Sequence, residues 1–400
     1  MGDLLLLTPL VPAPALSREL GAEVRVKVES LQHTGSFKTR GGLNKMLQLG
    51  EEERRRGVIC ASAGNHAQGV AFAASRVGAP CLVVMPENAP LVKVRATLRW
   101  GAEVVLRGQG FDDAVDHARQ LQQERGLTFV HAFDDEQIIA GQGTLGLELL
   151  EQFPELDTVV VPIGGGGLIS GIAQVVKATK PQARVYGVQT ESAPSVQLSY
   201  AGGEPVERRP SSSLADGIAI KRPAAITLEI IRRLVDDVVL VSEAAIEEAI
   251  FQLLDAQKLL AEGAGAAAFA ALAERRLPDL AGRRVAVVLS GGNIDLNVLS
   301  RIIERSLVRR HQMARLRLTI SDRPGGLAAA LAVVARAGGN VLGIEHERFF
   351  TDAACWETEI VLTLETRDEA HVEALMQALR DAGYPRLRQL EAPGCAPAFG

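Results

Sequence analysis

The sequence predicts an α/β protein in which a parallel sheet covered by helices is followed by a ferredoxin-like βαββαβ unit. Three observations carry that expectation. From Arg25 to about Leu289, short apolar runs alternate with helical stretches, and several runs are unbroken and β-branched, as in parallel strands buried on both faces. Beyond about residue 314 the order changes to strand, helix, strand, strand, helix, strand. The length of 400 residues also exceeds what one core ordinarily fills, so two or three domains are expected.

In the first part, strands are expected at residues 58–61, 81–85, 103–106, 158–163, 185–188, 238–241 and 285–289. Helices fill the gaps between them. Residues 112–125 show why, with Ala114, Val115, Ala118 and Leu121 on one side and charges opposite. Residues 159–176 carry no charge and reach the length of a membrane span, yet Pro162 and the four glycines at 164–167 interrupt them. They read as buried strand, glycine turn and helix, and no membrane partner is expected. A charged helical connector follows at 300–314. The last unit then reads as strand 316–320, helix 327–337, strands 341–350 and 358–364, helix 368–382 and strand 386–390.

Composition narrows the function. With 47% hydrophobic, 23% charged and only 4% aromatic residues, the chain has the profile of an Ala/Val/Leu-rich soluble α/β protein. A net charge of -5, with Arg54, Arg55 and Arg56 flanked by acidic neighbours, gives no footprint for nucleic acid. Cys60, Cys81, Cys355 and Cys395 are far apart and form no C-x-x-C pair, which points to a reducing, cytoplasmic compartment. The apolar run at residues 4–7 has no positive segment before it, so no secretory signal is expected.

Four constellations could carry chemistry. T-G-S-F-K-T-R-G, residues 34–41, sets one lysine, Lys38, among small residues and Phe37 at the start of a helical stretch. A lysine amine attacks carbonyls only when deprotonated, and burial would lower its pKa; the alternative is an ordinary surface lysine. Gly164, Gly165, Gly166 and Gly167, after a buried strand and before a helix opening near Leu168, would turn backbone N–H groups toward an anion. At this turn neither a P-loop nor a complete G-x-G-x-x-G is present, so a lone phosphate fits better than a dinucleotide; a tight strand-to-helix crossing is the alternative. S-A-G-N-H, residues 62–66, lies at the carboxyl end of a strand, where ligands collect, or caps a helix. S-G-G-N, residues 290–293, is a glycine turn or places the Ser290 hydroxyl against a heterocycle nitrogen.

Together these motifs, with A-G-Q-G-T at 140–144, strongly resemble the fold-type II pyridoxal-phosphate enzymes, and most closely the threonine and serine dehydratases. The resemblance covers nearly the whole chain. It implies a tryptophan synthase β-like core of two open α/β sheets at residues 1–310, with a small subdomain at about 57–134, and a separate domain at 315–400. It implies that Lys38 holds pyridoxal 5'-phosphate as an imine, that Phe37 lies against the ring and that Asn65 contacts the ring hydroxyl. Gly164 to Gly167 and Leu168 would hold the phosphate and Ser290 the pyridine nitrogen. Ser62, Ala63, Gly64, Asn65 and His66 would receive the substrate carboxylate and close over it. Glu262 looks like the acidic residue such enzymes place near the cofactor, without an assigned role.

The reaction implied is β-elimination and deamination, giving ammonia with 2-oxobutanoate from L-threonine or pyruvate from L-serine. Serine racemase is the nearest alternative, but racemases resemble S-S-G-N-H, and here Ala63 offers no second hydroxyl. Between Gln189 and Ser195 only Glu191 is acidic, so no metal is expected there.

D-R-P-G-G-L, with Asp322, Pro324, Gly325 and Leu327, followed by G-G-N ending at Asn340, resembles the ACT domains that bind amino acids. By that resemblance isoleucine inhibits, valine opposes it, and the enzyme heads isoleucine biosynthesis; a unit used only for oligomer contacts is the alternative. The family resemblance also implies a homodimer or homotetramer.

Overall fold

In the computed structural model, residues 4–349, 351 and 353–390 are described. Contacts divide the chain into two units, Met1–Ile294 and Asp295–Gly400. The helix Leu296–Arg309 groups with the second unit, where it leads into the first strand and packs near it.

The first unit holds ten strands: β1 (Leu10–Pro12), β2 (Glu23–Val28), β3 (Val58–Ala61), β4 (Cys81–Met85), β5 (Glu103–Leu106), β6 (Thr128–Phe129), β7 (Thr158–Pro162), β8 (Arg184–Thr190), β9 (Asp237–Val241) and β10 (Arg284–Leu289). They form two sheets. The larger has the order β1-β2-β10-β7-β8-β9 and is parallel except for β1; the smaller has the order β5-β4-β3-β6 and is wholly parallel. Every residue of β3, β4 and β7 is buried, because helices cover both faces. The alternation shows in β3, where Val58 and Cys60 join the cluster around Phe72 and Met85 while Ile59 and Ala61 face Val84, Ala114 and Ala118. In the larger sheet Val159, Val161, Val185 and Val288 pack with Ile169 and Ile172 from the helix after β7.

The uncharged stretch at 159–176 is thus β7, a glycine turn and the helix Gly167–Thr179. Among the described residues no helix is long and apolar enough to cross a membrane. The strands expected in this unit are all present, with ends that differ by no more than two residues. β1, β2 and β6 were not among them.

The second unit contains β11 (Met313–Ser321), β12 (Asn340–Glu347), β13 (Glu357–Glu365) and β14 (Leu387–Gln389) in an antiparallel sheet ordered β12-β13-β11-β14. One face is apolar. Leu316, Leu318 and Ile320 alternate inward and meet Ile360, Leu362 and Leu364, under helices Gly326–Arg336 and Glu369–Asp381. This is the expected βαββαβ unit. Phe350, Cys395 and the expected domain's last ten residues, 391–400, lie outside the described residues.

Candidate active site

The motifs at 34–41, 62–66, 164–168 and 290–293 follow strands of the two parallel sheets, and the structure ties them together. Lys38 opens the helix Lys38–Gln48, and Phe37 before it donates its backbone N–H to Ser290 O at 3.1 Å. Ser36 bridges Gly291. Ser290 is buried at the end of β10, so the lysine segment and the serine segment form one wall.

Lys38 Nζ lies 5.0 Å from the centre of the Phe37 ring and donates to Ala132 O at 3.2 Å. Burial pulls the amine from 10.5 down to about 8, against the attraction of Glu262. Among the described residues its hydrogen-bond acceptor is that carbonyl, and no carboxylate is bonded to it.

The glycine cup follows β7. Gly166 has φ +94, a conformation L side chains rarely adopt, and it sets the first turn of the helix Gly167–Thr179. Bonding from that helix back to the turn begins with Ser170 N–H to Gly166 O at 2.9 Å, so the N–H groups of Gly167, Leu168 and Ile169 face outward from a helix start. A Cβ at Gly165 would meet the Phe133 ring at 2.2 Å, and Thr227 Oγ1 holds Gly165 O at 2.8 Å. Such a cradle of bare N–H groups and glycines, without a charged side chain of its own, suits a dianionic phosphate.

The 62–66 loop follows β3. Gly64 N–H donates to Ser62 Oγ at 3.1 Å, and Asn65 begins the helix Asn65–Val77. Asn65 Nδ2 donates to Glu262 Oε1 at 2.5 Å, and Asn293 Nδ2 donates to both Asn65 Oδ1 and Thr34 O at 2.7 Å. One Asn65 N–H stays available beyond the Glu262 bond. Burial drives the Glu262 carboxyl from 4.5 up to about 7, a shift that Asp216 adds to and the Asn65 bond opposes. Burial also pulls His66 down to about 3, and its Nε2 is engaged with Val130 O at 2.9 Å. His66 is therefore neutral, and its backbone N–H lies in the first turn of the helix Asn65–Val77.

A lysine held near neutrality, a phosphate-sized cup of backbone donors, a buried serine and an amide loop at one place are the parts that pyridoxal phosphate needs. The model for the family described as pyridoxal-phosphate dependent enzyme matches residues 3–291. The chain belongs to that family. Its cofactor is pyridoxal phosphate, and the residues present fit it. An ACT domain model matches residues 314–383. Among curated relatives of this pyridoxal-phosphate enzyme, an L-threonine ammonia-lyase of Thermotoga maritima is 47% identical over 94% of both chains. One of Geobacter sulfurreducens is 48% identical over 94% of both. Among solved structures, the processed form of threonine deaminase isoform 2 from Solanum lycopersicum superposes with TM-score 0.72 at 36% identity, covering 76% of this chain and 89% of that one. Maize serine racemase gives TM-score 0.72 at 33% identity, covering 78% and 95%.

The C-terminal candidates do not all converge. Asp322, Pro324, Gly325 and Leu327 sit together where β11 turns into the helix Gly326–Arg336, with Gly325 at φ +91 and Arg348 paired to Asp322 at 3.3 Å. Asn340 lies at the other end of the sheet, because that helix carries the chain back before β12 starts. There Asn340 is opposite Glu365, which it contacts at 2.8 Å, and Glu365 pairs with Met313, the first residue of β11.

Asn293, Phe133 and Ala132 had not been assigned from the sequence. Asn293 closes a motif that was recognised, and its amide could have been suspected. Nothing local marks Phe133 or the Ala132 carbonyl, which come near the cup and the amine only through the fold.

Proposed function

We propose that the enzyme deaminates L-threonine to 2-oxobutanoate and ammonia and L-serine to pyruvate. In this reading it serves the first step of isoleucine synthesis under control of branched-chain amino acids bound to its C-terminal unit. The observation that carries the proposal is the Lys38 amine, lowered to about 8 and donating to Ala132 O, in a segment bonded through Phe37 to Ser290. Kinship with L-threonine ammonia-lyases along both units supports the substrate, and the ACT domain match supports an amino-acid effector.

When bound, pyridoxal phosphate supplies the electron sink and, through its phosphate, an acid for the leaving hydroxyl. The chain's own residues do the rest. Gly167 and Leu168 turn N–H groups toward the phosphate. Ser290, a buried neutral hydroxyl, would be the partner for the ring nitrogen, and a neutral partner there suits elimination. Lys38 Nζ would hold the cofactor and serve as the base for the alpha proton; a pKa of about 8 leaves part of the amine neutral at physiological pH. The N–H groups and hydroxyl of the 62–66 loop grip the substrate carboxylate. Ala63 has no hydroxyl with which to return a proton from the opposite face, which disfavours racemisation.

The test is a steady-state assay of the holoenzyme on L-threonine and L-serine, with and without isoleucine and valine. Both substrates should yield ammonia and the matching 2-oxo acid, and their kcat/KM values should differ by less than about 200-fold, the range one methyl group allows. Isoleucine should shift the threonine response by about 5- to 150-fold, with valine opposing it. Absence of 2-oxo acid with cofactor bound, or D-serine as the main product, overturns the proposal.

A further inference from the structure

Beneath the lysine helix lies a buried charge cluster that no step of the reaction uses. Arg40, two residues after Lys38 on the helix Lys38–Gln48, is fully buried. Its guanidinium is forked onto two carboxylates. Nε and Nη2 donate to Glu29 at 2.7 and 2.8 Å, while Nη1 and Nη2 donate to Glu148 at 2.6 and 2.9 Å. Nη1 also donates to Thr144 Oγ1 at 3.2 Å. The five N–H groups of an arginine are thereby all used.

Lys27, also fully buried, spends its three N–H groups on Thr8 O at 2.8 Å, Glu148 Oε2 at 2.6 Å and Gln152 Oε1 at 2.8 Å. Glu29 in turn accepts from Thr8 Oγ1 at 2.5 Å. Two cations and two carboxylates balance, and every donor of both cations has an acceptor. Such a cluster is seldom kept for stability, since apolar residues of equal volume hold a fold as well; what it adds is a single fixed geometry.

The geometry it fixes is that of the lysine. The helix Lys38–Gln48 starts without a side-chain cap, and the ties just before Lys38 are backbone ones, from Phe37 to Ser290 and from Ser36 to Gly291. Further along it is tied to the helix Glu136–Gln152 by Asn44 Nδ2 to Gln137 O at 2.6 Å and by Lys45 to Asp135 at 2.6 Å. Within the first turn Gly41 N–H donates to Gln142 Oε1 at 3.2 Å, and Arg40 is the side chain that reaches both β2's continuation at Glu29 and the partner helix at Glu148.

We propose that Arg40 is a positioning residue for Lys38, pinned by Glu29 and Glu148 so that the amine meets the cofactor at one height and angle. The proposal rests on the reading that Lys38 carries the cofactor. Arg40→Lys keeps the charge but cannot fork onto two carboxylates, and Glu148→Gln keeps the shape while weakening one fork.

The experiment first reduces wild-type holoenzyme with borohydride and maps the pyridoxyl group. It then measures, in both variants, the rate at which apoprotein captures pyridoxal phosphate, the pH midpoint of the bound cofactor's absorption band, kcat, KM and Tm. A displacement of the amine by about 1 Å should lower kcat of Arg40→Lys by about 100-fold. KM should stay within about threefold, because the substrate loop is untouched. Capture should slow and the pH midpoint should move. Glu148→Gln should show the same changes on a smaller scale, and it decides the matter if Arg40→Lys does not fold. Wild-type capture rate, midpoint and kcat in variants whose Tm has fallen would make the cluster structural only and overturn the proposal. A wild-type label on another lysine would remove the reading beneath it, and the proposal with it.

Discussion

Lys27 and Lys38 put the same functional group into two parts of one unit, with opposite outcomes. Lys27 is fully buried in β2, and its amine is saturated by Glu148, Gln152 and the Thr8 carbonyl. Lys38, half-buried at the mouth of the cup, has the Ala132 carbonyl for a hydrogen-bond partner and only the more distant charge of Glu262 to favour its proton. Burial lowers both amines, but at Lys27 the Glu148 hydrogen bond and charge work directly against it. Depth alone therefore does not make a lysine reactive. The acceptors within reach decide whether the amine is held as a cation or left able to shed its proton.

The contrast can be broken first by deleting each amine in the apoprotein. Lys27→Met leaves Glu148 short of a partner and should destabilise the fold by about 3–5 kcal/mol in urea unfolding. Lys38→Met removes an amine with no paired carboxylate and should leave stability unchanged or raise it, while abolishing turnover. Equal losses in the two variants would mean that partner count does not separate them.

A smaller effect sharpens the same point from the acidic side. The folded chain keeps Glu262 protonated up to about pH 7, whereas the unfolded carboxyl ionises near 4.5. Between those values the folded state binds more protons, so its stability falls as pH rises and then levels off. Glu262→Gln, which can still accept from Asn65, should gain on the wild type across that window, by up to about 3 kcal/mol above pH 7 and by nothing near pH 4. A difference independent of pH would show that the carboxyl is not held protonated.

Much of this was legible in the sequence. β3, β4, β7 and β10 announce themselves because both faces are covered, which leaves unbroken apolar runs. The glycine cup and the 62–66 loop are equally plain, since each is built from neighbours in the chain. β2 was hidden for a physical reason. Its Arg25 and Lys27 break the apolar pattern, and Lys27 is tolerated inside only because Glu148 and Gln152 arrive from a helix more than a hundred residues later. β6 is two residues long, too short for any periodicity to show. Asn340 was grouped with Asp322 on sequence order, but the intervening helix spans the sheet and separates them. Arg40 was visible as part of the lysine motif, yet its partners Glu29 and Glu148 come together with it only after folding.

The central claim is that Lys38, and no other amine, meets the cofactor, and that it sheds its proton near pH 8 rather than near 10.5. Following imine formation by apoprotein and pyridoxal phosphate from pH 6 to 11, then reducing with borohydride and mapping the labelled peptide, tests both parts together. The expected result is a pyridoxyl group on Lys38 and a rate that is half-maximal near pH 8. A label on Lys27 or any other lysine, or a midpoint near the ordinary 10.5, would contradict it.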